Sequence, residues 1–339
     1  MHPREVLLGA QAASGSIPVC DHYSGVEARM VKSLALQRSM IDEFGACVFD
    51  VTLDCEDGAP AGREIDHANM VVALANQAQT ATKNVASRIA VRVHPVDHPA
   101  FASDVATIVA GAGRALCHVM VPKVESVADI EAAVRAVDAA AAGLARQLPL
   151  QALIESPAAV NQAFAIAAHP RVQSLSFGMM DFVSAHGGAI PASAMDVVSS
   201  VGRPGQFDHP LIARAKLEIS SACHASGKVP SHSVITEFSD MEAIKSAAVR
   251  ASREFGFTRM WSIHPSQIRP IVEALAPSSD EIDEAADLVQ QAAAAQWAPI
   301  SFGGRLHDRA SYRYYWQVLE RAHQTGRALP PSARAYFQA

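Results

Sequence analysis

No apolar run in this 339-residue chain approaches the roughly 18 residues that a membrane-spanning helix needs. The start, "MHPREVLLGAQAASGS", lacks the apolar core of a signal peptide, because "VLLGAQAA" is short and follows Glu5. The expectation is a cytoplasmic protein without a membrane partner. Runs of Lys and Arg are absent as well, and the net charge is −6, which argues against a nucleic-acid partner. The five cysteines (Cys20, Cys47, Cys55, Cys117, Cys223) are scattered, odd in number and without C-x-x-C spacing. They read as small buried residues of a reduced compartment, not as a disulfide framework or a zinc site. No internal repeat or low-complexity tract stands out. No G-x-G-x-x-G follows the first apolar run, which argues against a doubly wound dinucleotide fold.

What is present is an ordinary globular composition, 50% hydrophobic and 18% charged, with ample length for a large core. Short apolar runs alternate with helical patterns almost from end to end. The expected strands are "IPVC" (17–20), "VFDVTLD" (48–54), "RIAVRVH" (88–94), "HVMVPK" (118–123), "LQALIE" (150–155), "SLSFG" (174–178), "KVPSH" (228–232) and "RMWSIH" (259–264). Most are continuously apolar, as strands buried on both faces are. Helix starts are marked by Ser126-x-x-Asp129, Ser239-x-x-Glu242 and Ser278-x-x-Glu281, and Gly256 closes the helix before it. Eight such alternations predict an α/β protein, a (β/α)8 TIM barrel over residues 1–297, with a C-terminal helical extension over 298–339. The extension reads as a turn plus a helix from about Arg309. Its aromatics Tyr312, Tyr314, Tyr315 and Trp316 are expected to bury area against the barrel or a neighbouring subunit.

In a barrel the chemistry gathers at the C-terminal strand ends. Those ends carry Asp54, Glu56 and Asp57, then Arg92 and His94, Lys123, Glu155, Asp181, His232 and His264. Three acids in "LDCEDG" repel one another unless cations or hydrogen-bond donors sit among them. Glu155 and Asp181, from adjacent strand ends, form the kind of partial carboxylate shell that Mg²⁺ accepts, with waters and a chelating substrate completing it. Each acid could instead cap the helix that follows it. Arg92 inside "AVRVH" needs an anion, and its fork suits a substrate carboxylate or a structural partner, Glu56 or Asp57. Lys123 could equally be a solvated lysine. His264 before a proline reads as a helix cap, while His94 and His232 stay open, and the acidic rim does not suggest zinc.

Taken together the motifs resemble the HpcH/HpaI aldolase and citrate lyase β-subunit superfamily, in particular its citrate lyase β-like and malyl-CoA lyase branch. The matching stretches are "LDCEDGAP", "VRVH", "VMVPKVES", "LIESPAAV", "LSFGMMDFVSAHG", "FGFTRMWSIHPSQI" with "ALAPSSDEI", and "GGRLHDRASYRYYWQVLERA", in order over about residues 45–325. The resemblance implies a Mg²⁺-dependent carbon–carbon lyase acting on a 3-hydroxy acid or its CoA thioester through a metal-stabilised enolate. Related activities are a pyruvate-type class II aldolase without CoA, a thioester hydrolase of the malyl-CoA type, and a catalytically reduced subunit of a lyase complex. It also implies roles for residues. Glu155 and Asp181 would be the direct metal ligands, with Glu155 also facing the substrate, and Arg92 would grip a carboxylate. Glu56 and Asp57 would hold metal-bound waters and orient Arg92. Asp308 matches an acid contributed by the C-terminal segment of a neighbouring subunit, so a homo-oligomer, trimer or hexamer, is implied. Asp308 before "RASYRYYWQVLERA" is also a good helix cap. The sequence departs from the family pattern in its first strand, at Met180, and at His232 and Ser233 in the seventh. These positions surround the substrate and leave its acyl group open.

Overall fold

Strands that are apolar on both faces have one stable placement, between a filled interior and a layer of helices. The computed structural model, which describes residues 2–9, 16–80 and 87–337, has that arrangement. Eight parallel strands, β1 (Cys20–Ser24), β2 (Phe49–Asp54), β3 (Ile89–Arg92), β4 (Leu116–Val121), β5 (Leu150–Ile154), β6 (Val172–Phe177), β7 (Val229–His232) and β8 (Arg259–Ser262), close into a barrel with β1 paired to β8. The surrounding helices are α2 (Glu27–Phe44), α3 (Glu64–Thr80), α4 (Phe101–Ala112), α5 (Val127–Ala140), α6 (Pro157–Ala168), α7 (Met179–Ser184), α8 (Pro210–Ala225), α9 (Met241–Arg253) and α10 (Pro265–Leu275). The expected barrel is therefore observed. No helix among the described residues is long and apolar enough to cross a membrane.

The first strand differs from its expected position. It begins at Cys20, where "IPVC" was expected to end, and runs through the polar "DHYS". Asp21 and His22 read against a buried strand, yet both are compensated. Asp21 accepts a hydrogen bond from Thr52 at 2.7 Å and lies 3.0 Å from Nη2 of Arg259, and His22 meets the Ser262 hydroxyl at 2.9 Å. Arg259, fully buried, also donates to Asp50 at 2.7 Å, and Arg88 reaches the other Asp50 oxygen at 2.6 Å. Burial alone would push Asp50 up, but Arg88 and Arg259 hold it down to about 2. This cluster sits near the strand starts, at the end of the barrel away from the rim acids. Cys117 and His118 approach Asp50 closely enough for a shared metal ion, but two guanidiniums already occupy its oxygens.

Two helix starts follow the expected capping boxes, at Ser126 and Ser278. The third shifts by one residue: α9 is capped by Asp240, because Glu237 accepts from the hydroxyl and backbone N–H of Ser239. All five cysteines are unpaired.

Beyond the barrel lie α11 (Ser279–Ala294), a hairpin of β9 (Ile300–Phe302) and β10 (Arg305–His307), α12 (Arg309–Gln324) and the short α13 (Pro331–Arg334). They form a second hydrophobic cluster with α1 (Pro3–Leu8), which supplies Leu7 and Leu8. The rest of "VLLGAQAA", residues 10–13, lies outside the described residues. The hairpin is an addition to the expected turn plus helix. The aromatic expectation needs correction as well. Tyr312 and Trp316 are buried inside this satellite core of their own chain and offer no surface to a neighbour, whereas Tyr314 is exposed. Trp316 stacks on Phe337 with ring centroids 5.3 Å apart, and Tyr312 donates its hydroxyl proton to the carbonyl of Ala298.

Candidate active site at the barrel mouth

The register of β2 and β3 sets Asp54 directly beside Arg92. Arg92 grips that carboxylate with two bonds, Nε to Oδ1 at 2.6 Å and Nη2 to Oδ2 at 2.5 Å. The backbone N–H groups of Glu56 and Gly58 donate to the same carboxylate at 3.0 and 2.9 Å. Burial would raise the Asp54 carboxyl, but Arg92 and these N–H donors hold it below its usual range. Gly58 must be glycine, since a Cβ there would collide with the Asp54 carboxylate. Asp54 is thus the acid of "LDCEDG" that fixes the turn. Sequence reasoning passed over this role, although neighbouring strand-end positions were the available signal.

Glu56, also buried, lies with Oε2 at 3.0 Å from Nη1 of Arg92 and with Oε1 against the Lys123 ammonium. It therefore joins two cations. Asp57 is exposed, 3.5 Å from the Lys123 ammonium, and its contact is to that residue and not to Arg92. Two of the five guanidinium donors of Arg92 are committed to Asp54, which leaves donors for a further anion beside the Glu56 ion pair.

Lys123 plays a part that its side chain does not reveal. Its backbone lies in the left-handed region, φ 50°, and its N–H donates to Oε1 of Glu155 at 2.6 Å. Glu155, 6% exposed, is pushed up to about 8 by its burial and then by the charge of Asp181, against the opposing pull of the Lys123 N–H and Arg92. Gly178 makes room for this carboxylate, because a Cβ there would strike the Glu155 side chain. Asp181 stands in the first turn of α7, half-buried. The structure thus gathers Asp54, Glu56, Asp57, Arg92, Lys123, Glu155 and Asp181 at one rim. Five carboxylates face two cations there, and the Lys123 N–H and Arg92 offset the burial of Glu155 and the charge of Asp181 only in part.

The remaining candidates go elsewhere. His264 caps α10, its Nδ1 accepting from the Ser266 N–H, as expected. His94 pairs with Asp104 of α4 at 2.5 Å and stacks on His98. His232 is buried in the barrel wall, donating to the Ser233 carbonyl at 2.9 Å, with its ring stacked on Phe207. Asp308 is exposed at the N-terminus of α12, where it accepts from the Ala310 N–H at 2.9 Å.

Beneath the rim the barrel interior turns apolar. Tyr23, Met120, Leu153, Val234 and Trp261 form a separate cluster. Strands β1 and β5 lie on opposite sides of the barrel, so these side chains meet only across its interior. Arg92 rests over the Tyr23 ring, 5.3 Å from its centroid. Tyr23 was not among the residues that sequence reasoning singled out.

Comparison with known proteins agrees with this architecture. The family model described as HpcH/HpaI aldolase/citrate lyase matches residues 30–265. The crystal structure of a citrate lyase from Burkholderia xenovorans LB400 is 48% identical, covers 100% of this chain and 99% of its own, and superposes with a TM-score of 0.79. The L-malyl-CoA/β-methylmalyl-CoA lyase of Cereibacter sphaeroides is 28% identical over 305 residues, 84% of this chain and 91% of that enzyme. The protein CitE of Mycobacterium tuberculosis, in a structure with magnesium, acetoacetate and coenzyme A, shares the fold at 21% identity. It covers 91% of this chain and 98% of its own, with a TM-score of 0.62. The chain belongs to the HpcH/HpaI aldolase/citrate lyase family.

Proposed function

We propose that the chain is a Mg²⁺-dependent carbon–carbon lyase, cleaving or forming the bond in a 3-hydroxy acid or its CoA thioester. The observation that carries this reading is the pair Glu155 and Asp181. Two hard oxygen donors follow the adjacent strands β5 and β6, and burial plus the charge of Asp181 makes Glu155 reluctant to ionise without a cation. A divalent ion that prefers carboxylates and keeps sites for water or substrate fits such a donor set. Glu155 and Asp181 would hold it, and when bound it supplies Lewis acidity to an oxygen that gains negative charge. The magnesium in the mycobacterial structure is consistent with this choice.

The other steps fall to this chain's own groups. Cleavage of a bond β to a carbonyl leaves negative charge on oxygen and requires control of one proton. The uncommitted N–H groups of Arg92 are suited to a substrate carboxylate, and Asp54 and Glu56 set the plane in which the guanidinium presents them. Lys123 holds Glu56 from its side chain and Glu155 from its backbone, which keeps the two acids in fixed relation. Asp308 of a neighbouring subunit is our candidate for a proton transfer, with residues 298–339 reaching over that neighbour's mouth. This makes a homo-oligomer part of the working enzyme. The citrate lyase and malyl-CoA lyase relatives support a small hydroxy acid or its acyl-CoA as substrate.

The test is a turnover panel of 3-hydroxyacyl-CoA esters and free hydroxy-oxo-acids, assayed with and without EDTA. We expect carbon–carbon cleavage of at least one member, lost with EDTA and restored by Mg²⁺. No turnover across the panel, or turnover indifferent to EDTA, overturns the reading.

A further inference from the structure

The Tyr23 hydroxyl is buried and has no hydrogen-bond partner among the described residues. Its ring is well explained: it packs on Trp261 with centroids 4.9 Å apart, and it supports the Arg92 guanidinium from below. A phenylalanine would make the same contacts. A tyrosine here costs stability, because a desolvated hydroxyl without a partner is a net loss to the fold. The groups around it do not use it. Thr52 serves Asp21, Arg259 serves Asp50 and Asp21, and Arg92 serves Asp54 and Glu56. The hydroxyl is therefore a spare donor whose ring packs in the apolar cluster, beside the Arg92 guanidinium, which retains donors of its own.

We propose that Tyr23 is a substrate-binding residue: its hydroxyl donates to an oxygen of the small carboxylic acid that Arg92 grips. The inference rests on the lyase reading above, and it sharpens the substrate class. The acid sits deep, with an oxygen at the level of β1, so its carboxylate end is short and unbranched. A branched or bulky group at that end would strike the Tyr23 and Trp261 rings. The neutral hydroxyl and the guanidinium divide the work. Arg92 supplies charge, and Tyr23 supplies a directed donor that rejects a ligand lacking an oxygen at that point.

Calorimetry with Mg²⁺ present, using glyoxylate, pyruvate and oxaloacetate as probes, compares wild type with Tyr23→Phe, and urea unfolding compares the two metal-free proteins. The expected result is an affinity loss of about tenfold to a hundredfold for the acids that bind, with metal-free stability equal or higher. A merely structural hydroxyl would give the reverse pattern. Unchanged affinity overturns the proposal, and so does a variant that unfolds at lower urea, since its hydroxyl then serves the fold. A wild-type protein that binds none of the three acids overturns the lyase reading and this inference with it. Acid binding by wild type that survives in Tyr23→Phe overturns this inference alone.

Discussion

Lys123 donates its backbone N–H to Glu155 at 2.6 Å from a left-handed conformation, φ 50°, that a lysine adopts only at a cost. The same residue sends its ammonium to Glu56. One strained position therefore links an acid that follows β2 to the acid that follows β5, and both belong to the rim. Strain of this kind persists where the surrounding contacts overdetermine it.

Substitution at Lys123 separates its backbone role from its side-chain role. Lys123→Gly and Lys123→Ala both lose the ammonium, but glycine relaxes in the left-handed region and alanine does not. Urea unfolding is expected to show the glycine variant more stable than the alanine variant by about 1 kcal/mol. Equal stabilities, or the opposite order, would mean that the backbone of Lys123 is not strained in solution.

The Glu155 carboxyl gives a pH signature. In the folded, metal-free chain burial and the charge of Asp181 push it up to about 8, against 4.5 for an unperturbed glutamate. Below about pH 4.5 it is protonated in both folded and unfolded chains and has no effect on stability. As pH rises from there towards 8, the unfolded chain ionises and the folded one resists, so the folded state loses stability over that window. Glu155→Gln should remove this slope in EDTA-treated protein. Mg²⁺ affinity of the wild type should also fall as pH drops below about 8, because the ion must displace a proton. Calorimetry in buffers of different ionisation enthalpy would detect that proton. A pH-independent affinity between pH 6 and 8 would remove Glu155 from the metal shell.

Arg92 and Asp54 form a buried pair whose halves cannot be removed singly without cost. Asp54→Asn leaves the guanidinium with a neutral partner and should destabilise the protein by roughly 3 kcal/mol. Arg92→Lys keeps the charge but loses the fork, and is expected to cost about 2–3 kcal/mol in transition-state binding as well. Comparison of urea midpoints with kcat/KM distinguishes the two contributions. An Arg92→Lys protein of lowered stability but near wild-type kcat/KM would confine Arg92 to holding the turn.

Much of this was legible in the chain, and the exceptions have physical causes. Continuous apolar runs gave seven of the eight strands near their observed positions, because burial on both faces leaves little choice of residue. The first strand was displaced because Asp21 and His22 look soluble until Arg259, Thr52 and Ser262 are brought to them across the barrel. The rim acids were readable as strand ends, whereas the choice of Asp54 as the main partner of Arg92 depends on strand register. The backbone of Lys123 and the orphan hydroxyl of Tyr23 leave no mark in composition or spacing. Both follow from tertiary geometry alone.

Asp308 has a capping role that substitution can separate from a catalytic one. It is exposed and caps α12 in its own chain, through bonds from the N–H groups of Ala310 at 2.9 Å and Ser311 at 3.5 Å. Capping and proton transfer place different demands on the side chain. Asparagine caps a helix about as well as aspartate, whereas it neither accepts nor releases a proton at neutral pH. Asp308→Asn should therefore keep its stability within about 0.5 kcal/mol and lose most activity, while Asp308→Ala should lose about 1 kcal/mol of stability as well. Mixing decides whether the group acts on a neighbour. Asp181→Asn is the better complement than any Arg92 variant, because removal of Arg92 strands the buried Asp54. If the extension reaches another subunit, mixed oligomers of Asp308→Asn and Asp181→Asn contain sites with neither lesion, and activity returns. Native mass spectrometry verifies that subunits have exchanged. Exchange without recovery would leave Asp308 a helix cap, and the proton transfer would belong to a group of the barrel itself.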